Sequence, residues 1–313
     1  TLGIAIYPDD GLTADQLIRM AEQALLYAKA SQRNHVQLAS RLPMRTQQRD
    51  QLLLKNRLLT AVENEELQAF FQPKVDVQNA KVLGMEALAR WLNPDGTFVA
   101  GPGTFIPMAE NAGIIAEVSR IVNRKAFRYL ADLKSDLNLS INVSRHQLFQ
   151  PDFLQNLRNE LSFFAIQPEQ ITLEITESLA MRDPARAEQV LTELRRDGFN
   201  LSIDDFGTGY SGLSQLHLMP VQELKLDITF VHRIHTLDGH NIIKAIAAMA
   251  KALQLGVVAE GVEDFPALQS LIAMGAVTIQ GNYFSPAVNG EQFQELLKSP
   301  ELAQKLSADP SAL

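Results

Sequence analysis

The sequence contains no cysteine. Disulfides, thiol nucleophiles and thiolate zinc sites are therefore excluded, and a reducing compartment is permitted. No apolar run approaches the roughly 18 residues that a membrane-spanning helix needs, and no basic-then-apolar segment opens the chain. Positive charge is also scarce, with 28 Lys and Arg against 36 Asp and Glu and a formal charge of −8. That balance disfavours a protein that grips long nucleic acid over its whole surface, and it leaves open a small phosphorylated ligand held through metal ions. There is no initiating methionine, so the chain from Thr1 reads as a fragment of something longer. What is present is ordinarily globular. With 313 residues, 46% of them hydrophobic and 20% charged, it suits one large domain or a large and a small one.

The opening "TLGIAIYPDDG" alternates like a strand. Thr13 with Gln16 then forms the capping-box pattern for an amphipathic helix, "ADQLIRMAEQALLYAKA". Between Arg45 and Asn64, Leu52, Leu53, Leu59 and Val62 recur at helical spacing among polar residues, which predicts a connecting helix with a domain boundary near Gln51. Beyond it, eight strand-like segments follow: "LQAFFQPKVDV", "VLGMEALARW", "LNLSINVS", "ITLEITES", "NLSIDDFG", "ELKLD", "GVVAEGVE" and "AVTIQGNYFS". Helical stretches, expected over Pro107–Leu133, His146–Leu161, Pro184–Asp197, Gly239–Leu255, Phe265–Met274 and Gly290–Leu306, mostly alternate with them. This pattern and length predict an α/β fold, a modified (β/α)8 TIM-like barrel. One connection departs from it. "QNAK" between the first two strands is too short for a crossover and fits only a hairpin, so the first strand should run antiparallel.

In such barrels the chemistry gathers at the C-terminal ends of the strands. Here those ends carry Glu86, Asn142, Glu174 with Glu177, the pair Asp204 and Asp205, Lys225, Glu260 with Glu263, and Gln280. Five of these carboxylates, Glu86, Glu174, Asp204, Asp205 and Glu260, against the single Lys225 leave a formal −4 at one mouth. Clustered carboxylates without counter-charge are driven toward protonation, so something cationic should bind. Two divalent ions would bring the sum to about zero, and an all-oxygen donor set suits Mg²⁺ or Mn²⁺, with Ca²⁺ as competitor. Asp204 and Asp205 at one strand end could bridge the ions. Such equipment serves phosphoester hydrolysis, in which two metals activate a water and offset transition-state charge.

Rival motifs are weaker. His232, His235 and His240 are close in sequence but fall in a loop and helix start with nothing to complete a metal set. Gly207, Gly209 and Gly212 match G-x-G-x-x-G, yet two carboxylates directly precede them and would repel a pyrophosphate, so a flexible loop over the site is the better reading. "GYSGL" fails the nucleophile-elbow pattern at Leu213, and no histidine stands at a strand end to serve a Ser-His-Asp triad.

From Leu54 to about Leu297 the chain resembles the bacterial EAL-domain cyclic-di-GMP phosphodiesterases. The signature is Glu86, Ala87 and Leu88, and "FFQP", "INVS", "LEITES", "DDFGTGYSGLSQL", "LKLD", "AEGVE" and "QGNYFS" follow in the family's order and spacing. Residues 1–40 resemble the closing strand and helix of a GGDEF diguanylate cyclase domain whose signature would lie upstream. That leaves residues 41–53 as a linker helix and 54–313 as the EAL domain.

The resemblance implies hydrolysis of cyclic di-GMP to linear pGpG with two Mg²⁺ or Mn²⁺ ions, and inhibition by Ca²⁺. It would assign one metal to Glu86, Asn142, Glu174 and Asp204, and the second to Asp204, Asp205 and Glu260. Lys225 would sit by the attacking water, with Glu260 as candidate general base and Gln280 beside the metal–water cluster. Glu177 would anchor the loop after Asp205, and Glu263 would support a neighbouring loop or the second metal. Arg90 would meet a substrate phosphate, with Gln72 and Asp227 as further substrate contacts. Gly212 stands where the family often has serine and Asn282 where an aromatic is common, and neither removes a ligand. The resemblance further implies a homodimer formed through the stretch after Gly212, an upstream GGDEF and possible sensory domain, and a cytoplasmic location, alone or as part of a membrane-associated protein. The alternative is a receptor that binds cyclic di-GMP without hydrolysis. Such receptors usually lose metal ligands, whereas this sequence keeps the set. A different metal-assisted barrel enzyme acting on a small phosphate or carboxylate substrate is the remaining reading.

Overall fold

Thr13 opens the first helix as the capping box requires: Gln16 N–H donates to Thr13 Oγ1 at 3.4 Å and Thr13 N–H to Gln16 Oε1 at 3.3 Å. The computed structural model describes residues 1–10, 13–31, 36–41, 43–207, 216–276 and 278–307. Gly209, Gly212 and Leu213, and with them the loop reading and the start of the expected dimer surface, lie outside the described residues. The chain divides into two compact units, Thr1–Asn64 and Glu65–Leu313. In the first, β1 (Leu2–Ile4) pairs in parallel with β2 (Val36–Leu38), the two joined through the helix Ala14–Ser31. Three-residue β2 was too short to show periodicity. The expected boundary near Gln51 falls inside one continuous helix, Pro43–Glu63.

The second unit holds β3 (Leu67–Asp76), β4 (Lys81–Leu92), β5 (Phe98–Ala100), β6 (Asn138–Asn142), β7 (Ile171–Thr176), β8 (Asn200–Phe206), β9 (Glu223–Leu226), β10 (Gly256–Ala259) and β11 (Thr278–Gln280). Their order is β3-β11-β10-β9-β8-β7-β6-β4, and pairing of β3 with β4 closes an eight-stranded barrel, with β5 appended to β4. β3 runs antiparallel to both neighbours, as the short connection demanded. The hairpin is held by Asp76, whose carboxylate accepts from Gln78 N–H and Asn79 N–H at 2.9 Å each and from Asn79 Nδ2 at 2.7 Å.

Strand alternation sorts the core. Leu139, Ile141, Leu173, Ile175, Leu201, Ile203 and Leu224 pack with Phe127, Leu130, Leu157, Leu161, Leu191 and Leu194 of the surrounding helices. The alternate positions carry buried Ser140, Thr172, Glu174, Ser202 and Lys225, so the barrel interior is polar rather than filled with branched aliphatics.

Three expected helices are broken in two. Pro107 lies inside Pro102–Ala112, which ends at Gly113 in the left-handed region (φ 73), and Ile115–Leu133 follows. Arg145–Leu148 and Phe153–Phe164 are separated around Pro151, and Gly290–Leu296 is separated from Pro300–Ser307 by the proline that starts the latter. Two short helices that the sequence did not signal, Glu177–Arg182 and Ile228–Val231, begin directly after β7 and just past β9. No helix among the described residues is long and apolar enough to cross a membrane.

Candidate active site

The C-terminal ends of the parallel strands surround a cleft of about 390 Å³ lined by Gln72, Glu86, Leu88, Asn142, Asp204, Lys225, Ile228, Glu260, Gly261, Glu263, Gln280, Gly281 and Asn282. At its floor stands the Lys225 ammonium, 1% exposed. It meets Glu174 Oε2 at 2.6 Å, Glu260 Oε1 at 2.7 Å, Glu86 Oε2 at 3.2 Å and Asp204 Oδ1 at 3.3 Å. Four strands thus aim carboxylates at one cation. Glu86 is further fixed by Asn142 Nδ2 at 2.7 Å and Gln280 Nε2 at 2.6 Å. Gln280 Nε2 also reaches Gln72 Oε1 at 3.1 Å, and its own buried Oε1 faces no hydrogen-bond partner. Gln72 Nε2 donates to Ser285 O at 3.1 Å.

One ammonium cannot satisfy so much negative charge, and the carboxylates divide accordingly. Burial, with the Asp204 and Glu86 charges added, pushes Glu260 up to about 8 against the pull of Lys225. Burial and neighbouring carboxylates likewise raise Glu86 and Asp204. Burial would raise Glu174 too, but Lys225 and Lys74 together overcome it and hold that carboxyl at about 2. Lys225 is held well above the usual lysine value, its four carboxylate partners outweighing burial.

Asp204 and Asp205 are adjacent, which in a regular strand would send them to opposite faces. The register of β8 against β9 shifts between Ile203 and Phe206, and Asp205 lies in the left-handed region (φ 54). Such backbone strain is held only where the surroundings over-determine it. Asp205 is half-buried and raised, by burial first and then by Asp227, and it feels Lys225 and Glu86 as well. Its N–H donates to Asp204 Oδ1 at 2.9 Å. Past it, Gly207 N–H donates to Glu177 Oε2 at 2.7 Å, so a buried carboxylate grips the head of the following segment. Two glycines shape the rim. A Cβ on Gly261 (φ 67) would lie 2.1 Å from Ile228 Cγ1, and one on Gly281 would lie 2.2 Å from Val262 O.

Glu174, Asp227 and Arg90 stand apart from the cleft lining, and Glu263 lies at its edge. Glu174 lies beneath Lys225. Asp227 caps the helix Ile228–Val231 through Thr229 N–H at 2.9 Å and the Thr229 hydroxyl. Arg90 is half-buried, donates to Ala89 O at 2.9 Å and lies over the Phe70 ring at 5.8 Å. Glu263 is on the exposed rim, 3.5 Å from Asn282 Nδ2. His232 and His235 are exposed and His240 is half-buried. Sequence reasoning missed Lys74, which lies buried under Glu174 and bonds it at 3.4 Å. Its signal was a lysine in mid-strand, two places from Gln72 on the same face.

Among the described residues, no three histidine, aspartate or glutamate side chains are spaced to grip a bare metal ion, because the carboxylate oxygens are turned onto Lys225. The donor chemistry nevertheless fits one. The oxygens are hard, they exceed the available positive charge, and they converge on a cationic centre at the floor of an open cleft.

A closed α/β barrel whose mouth gathers buried carboxylates around one lysine defines a TIM-like barrel with its candidate active site at the C-terminal ends of the strands. The chain belongs to the EAL domain family, whose model matches residues 55–287. It is 36% identical over 297 residues to the bifunctional diguanylate cyclase/cyclic di-GMP phosphodiesterase MucR of Pseudomonas aeruginosa, covering 93% of this chain and 43% of that protein. It is similar to the solved c-di-GMP complex of the PaMucR phosphodiesterase, with TM-score 0.74 and 35% identity over 77% of this chain and 99% of that one. It is also similar to a calcium/cy-diGMP complex of Klebsiella pneumoniae BlrP1, with TM-score 0.64 and 29% identity over 71% of this chain and 56% of that one. The chain spans less than half the length of the curated MucR protein.

Proposed function

We propose that this chain hydrolyses cyclic di-GMP to linear pGpG with the help of two divalent ions, Mg²⁺ or Mn²⁺. The observation that carries the reading is the convergence of Glu86, Glu174, Asp204 and Glu260 on one buried point at the barrel mouth. Membership of the EAL family and similarity to cyclic-di-GMP complexes support the substrate. When bound, the ions lower the pKa of water and offset charge on the phosphate during in-line displacement.

Glu86, Asn142, Glu174 and Asp204 would hold one ion, and Asp204, Asp205 and Glu260 the other. Glu260 lines the cleft, 2.7 Å from the Lys225 ammonium, and would act as the general base that takes a proton from the attacking water. Lys225, bonded to each of the four converging carboxylates, holds them together and would sit by the attacking water. Gln280 presents its unpartnered Oε1 in the same region. Arg90 would pair with a substrate phosphate, Gln72 and Asp227 would contact the substrate, Glu263 would support the neighbouring loop or the second metal, and Glu177 would hold the segment after Gly207.

The residues 1–40 are proposed to close a GGDEF domain, in keeping with the cyclase half of the MucR relative. A cytoplasmic location, an upstream sensory domain and a homodimer belong to the same reading.

The test is chromatographic. Protein incubated with cyclic di-GMP and Mg²⁺ or Mn²⁺ should yield pGpG, and the product should vanish with Ca²⁺ alone and in Glu86→Ala. Binding without product in any of these ions would make the chain a receptor instead, and absence of binding would point to another phosphate or carboxylate substrate.

A further inference from the structure

Beneath the carboxylate cluster the barrel interior holds a second lysine. Lys74 is 4% exposed on β3, and its ammonium donates to Glu223 Oε1 at 2.7 Å, Ser140 Oγ at 3.1 Å and Glu174 Oε1 at 3.4 Å. All three donors of the ammonium are thereby used. Glu174 is consequently stretched between two cations, Oε1 toward Lys74 below and Oε2 toward Lys225 above at 2.6 Å. Ser140 also bonds this carboxylate, closing a small ring under it. The ring is anchored from the opposite end by Glu223, which borders a cavity of about 240 Å³ of mixed lining, with Thr172 and Asn200 beside Leu83 and Leu201.

Nothing in Glu174 itself fixes the plane of its carboxylate, because the terminal torsion of a glutamate is broad and roughly two-fold. Partners outside the side chain must fix it. From above, Lys225 is shared among four carboxylates and cannot by itself select one orientation of Glu174. From below, Lys74 and Ser140 contact it through a rigid strand position.

We propose that Lys74 is a positioning residue for the mouth: by holding Glu174 Oε1 from beneath, it presents Oε2 upward, where Glu174 can join Glu86, Asn142 and Asp204 around a divalent ion. This rests on the metal-dependent reading of the site. Lys74 touches neither substrate nor ion and acts only through Glu174. Groups that orient a metal ligand from behind typically contribute about 10–100-fold to metal affinity.

The experiment is calorimetric titration of Mn²⁺ into metal-stripped wild type, Lys74→Met, Glu174→Gln and the combination Lys74→Met/Glu174→Gln, with thermal melts of each. Lys74→Met should weaken Mn²⁺ binding roughly tenfold, while hydrolysis recovers at saturating Mn²⁺. The same substitution should change affinity less than about twofold in the Glu174→Gln background, where no carboxylate remains to be oriented. Lys74→Met also strands the Glu223 charge, so Lys74→Met/Glu223→Gln serves as the second variant if the single one fails to fold, and it should show the same loss. A folded variant without Lys74 that binds Mn²⁺ within about twofold of wild type would overturn the proposal. A loss of the same size in the Glu174→Gln background would overturn it as well. Wild type that takes up no Mn²⁺, or no more than a Glu86→Ala control titrated alongside it, would instead overturn the metal reading, and this inference with it.

Discussion

Replacing Glu260 by glutamine keeps the size of the side chain and removes its charge. In the metal-free protein that charge is unwelcome, since burial together with the Asp204 and Glu86 charges lifts the carboxyl from 4.5 to about 8. At about 1.4 kcal/mol per pH unit this corresponds to about 5 kcal/mol against the ionised form in the folded state. Glu86 and Asp204 draw on the same Lys225, and their readjustment should leave about 2–4 kcal/mol to be seen. The sign follows from proton linkage. An acid whose folded value is raised contributes stability that is complete below 4.5 and is progressively lost as pH rises to about 8, because the unfolded chain ionises first. In EDTA, wild type should therefore lose stability across that window, and Glu260→Gln should lose less. At roughly 2–4 °C per kcal/mol for a unit of this size, Glu260→Gln should melt about 5–15 °C above wild type at pH 8.5 and within about 2 °C of it at pH 4.5. Melts followed by circular dichroism between pH 4.5 and 9 measure this directly. Parallel curves for the two proteins, separated by the same interval at every pH, would refute the placement of Glu260 in a charge-starved cluster.

Glu86→Ala removes the carboxylate that Asn142, Gln280 and Lys225 all address, and it should abolish calorimetric Mn²⁺ uptake and lower turnover at least about 100-fold, while the stripped protein stays folded. Gly281→Ala places a methyl 2.2 Å from the Val262 carbonyl, a backbone atom that cannot yield cheaply. It should cost about 1–3 kcal/mol by chemical denaturation and reduce turnover through displacement of Gln280. Trp91 is the sole tryptophan, is fully buried, and donates Nε1–H to Glu66 at 3.1 Å. Its emission should shift red only when the unit Glu65–Leu313 unfolds, and Trp91→Ala should lower that unit's stability by about 3–5 kcal/mol.

The barrel was legible because alternation and strand spacing are local properties. The antiparallel start was legible because four residues cannot span a crossover. The rule that strand ends carry the chemistry located Glu86, Asn142, Asp204, Lys225, Glu260 and Gln280, and the structure brings all six to one cleft. What the rule could not see was depth. Lys74 and Glu223 lie toward the other end of the barrel, and only three-dimensional closure brings them under Glu174. Helix breaks at Gly113 and Pro300 were visible as residues but were absorbed into long amphipathic patterns. The helix-capping role of Asp227 was not foreseen, although a threonine two places on signals it.

The interior charges alternate along the barrel axis, from Glu223 through Lys74 and Glu174 to Lys225 and the carboxylates above it. Such a ladder behaves as a coupled unit under mutation: deleting Lys74 alone leaves Glu223 without its ion partner, whereas deleting Lys74 and Glu223 together leaves Glu174 paired with Lys225. Substitutions at 74 and 223 are therefore expected to be non-additive. The coupling between positions 74 and 223, far apart in the chain, measures a contact that only the closed barrel makes.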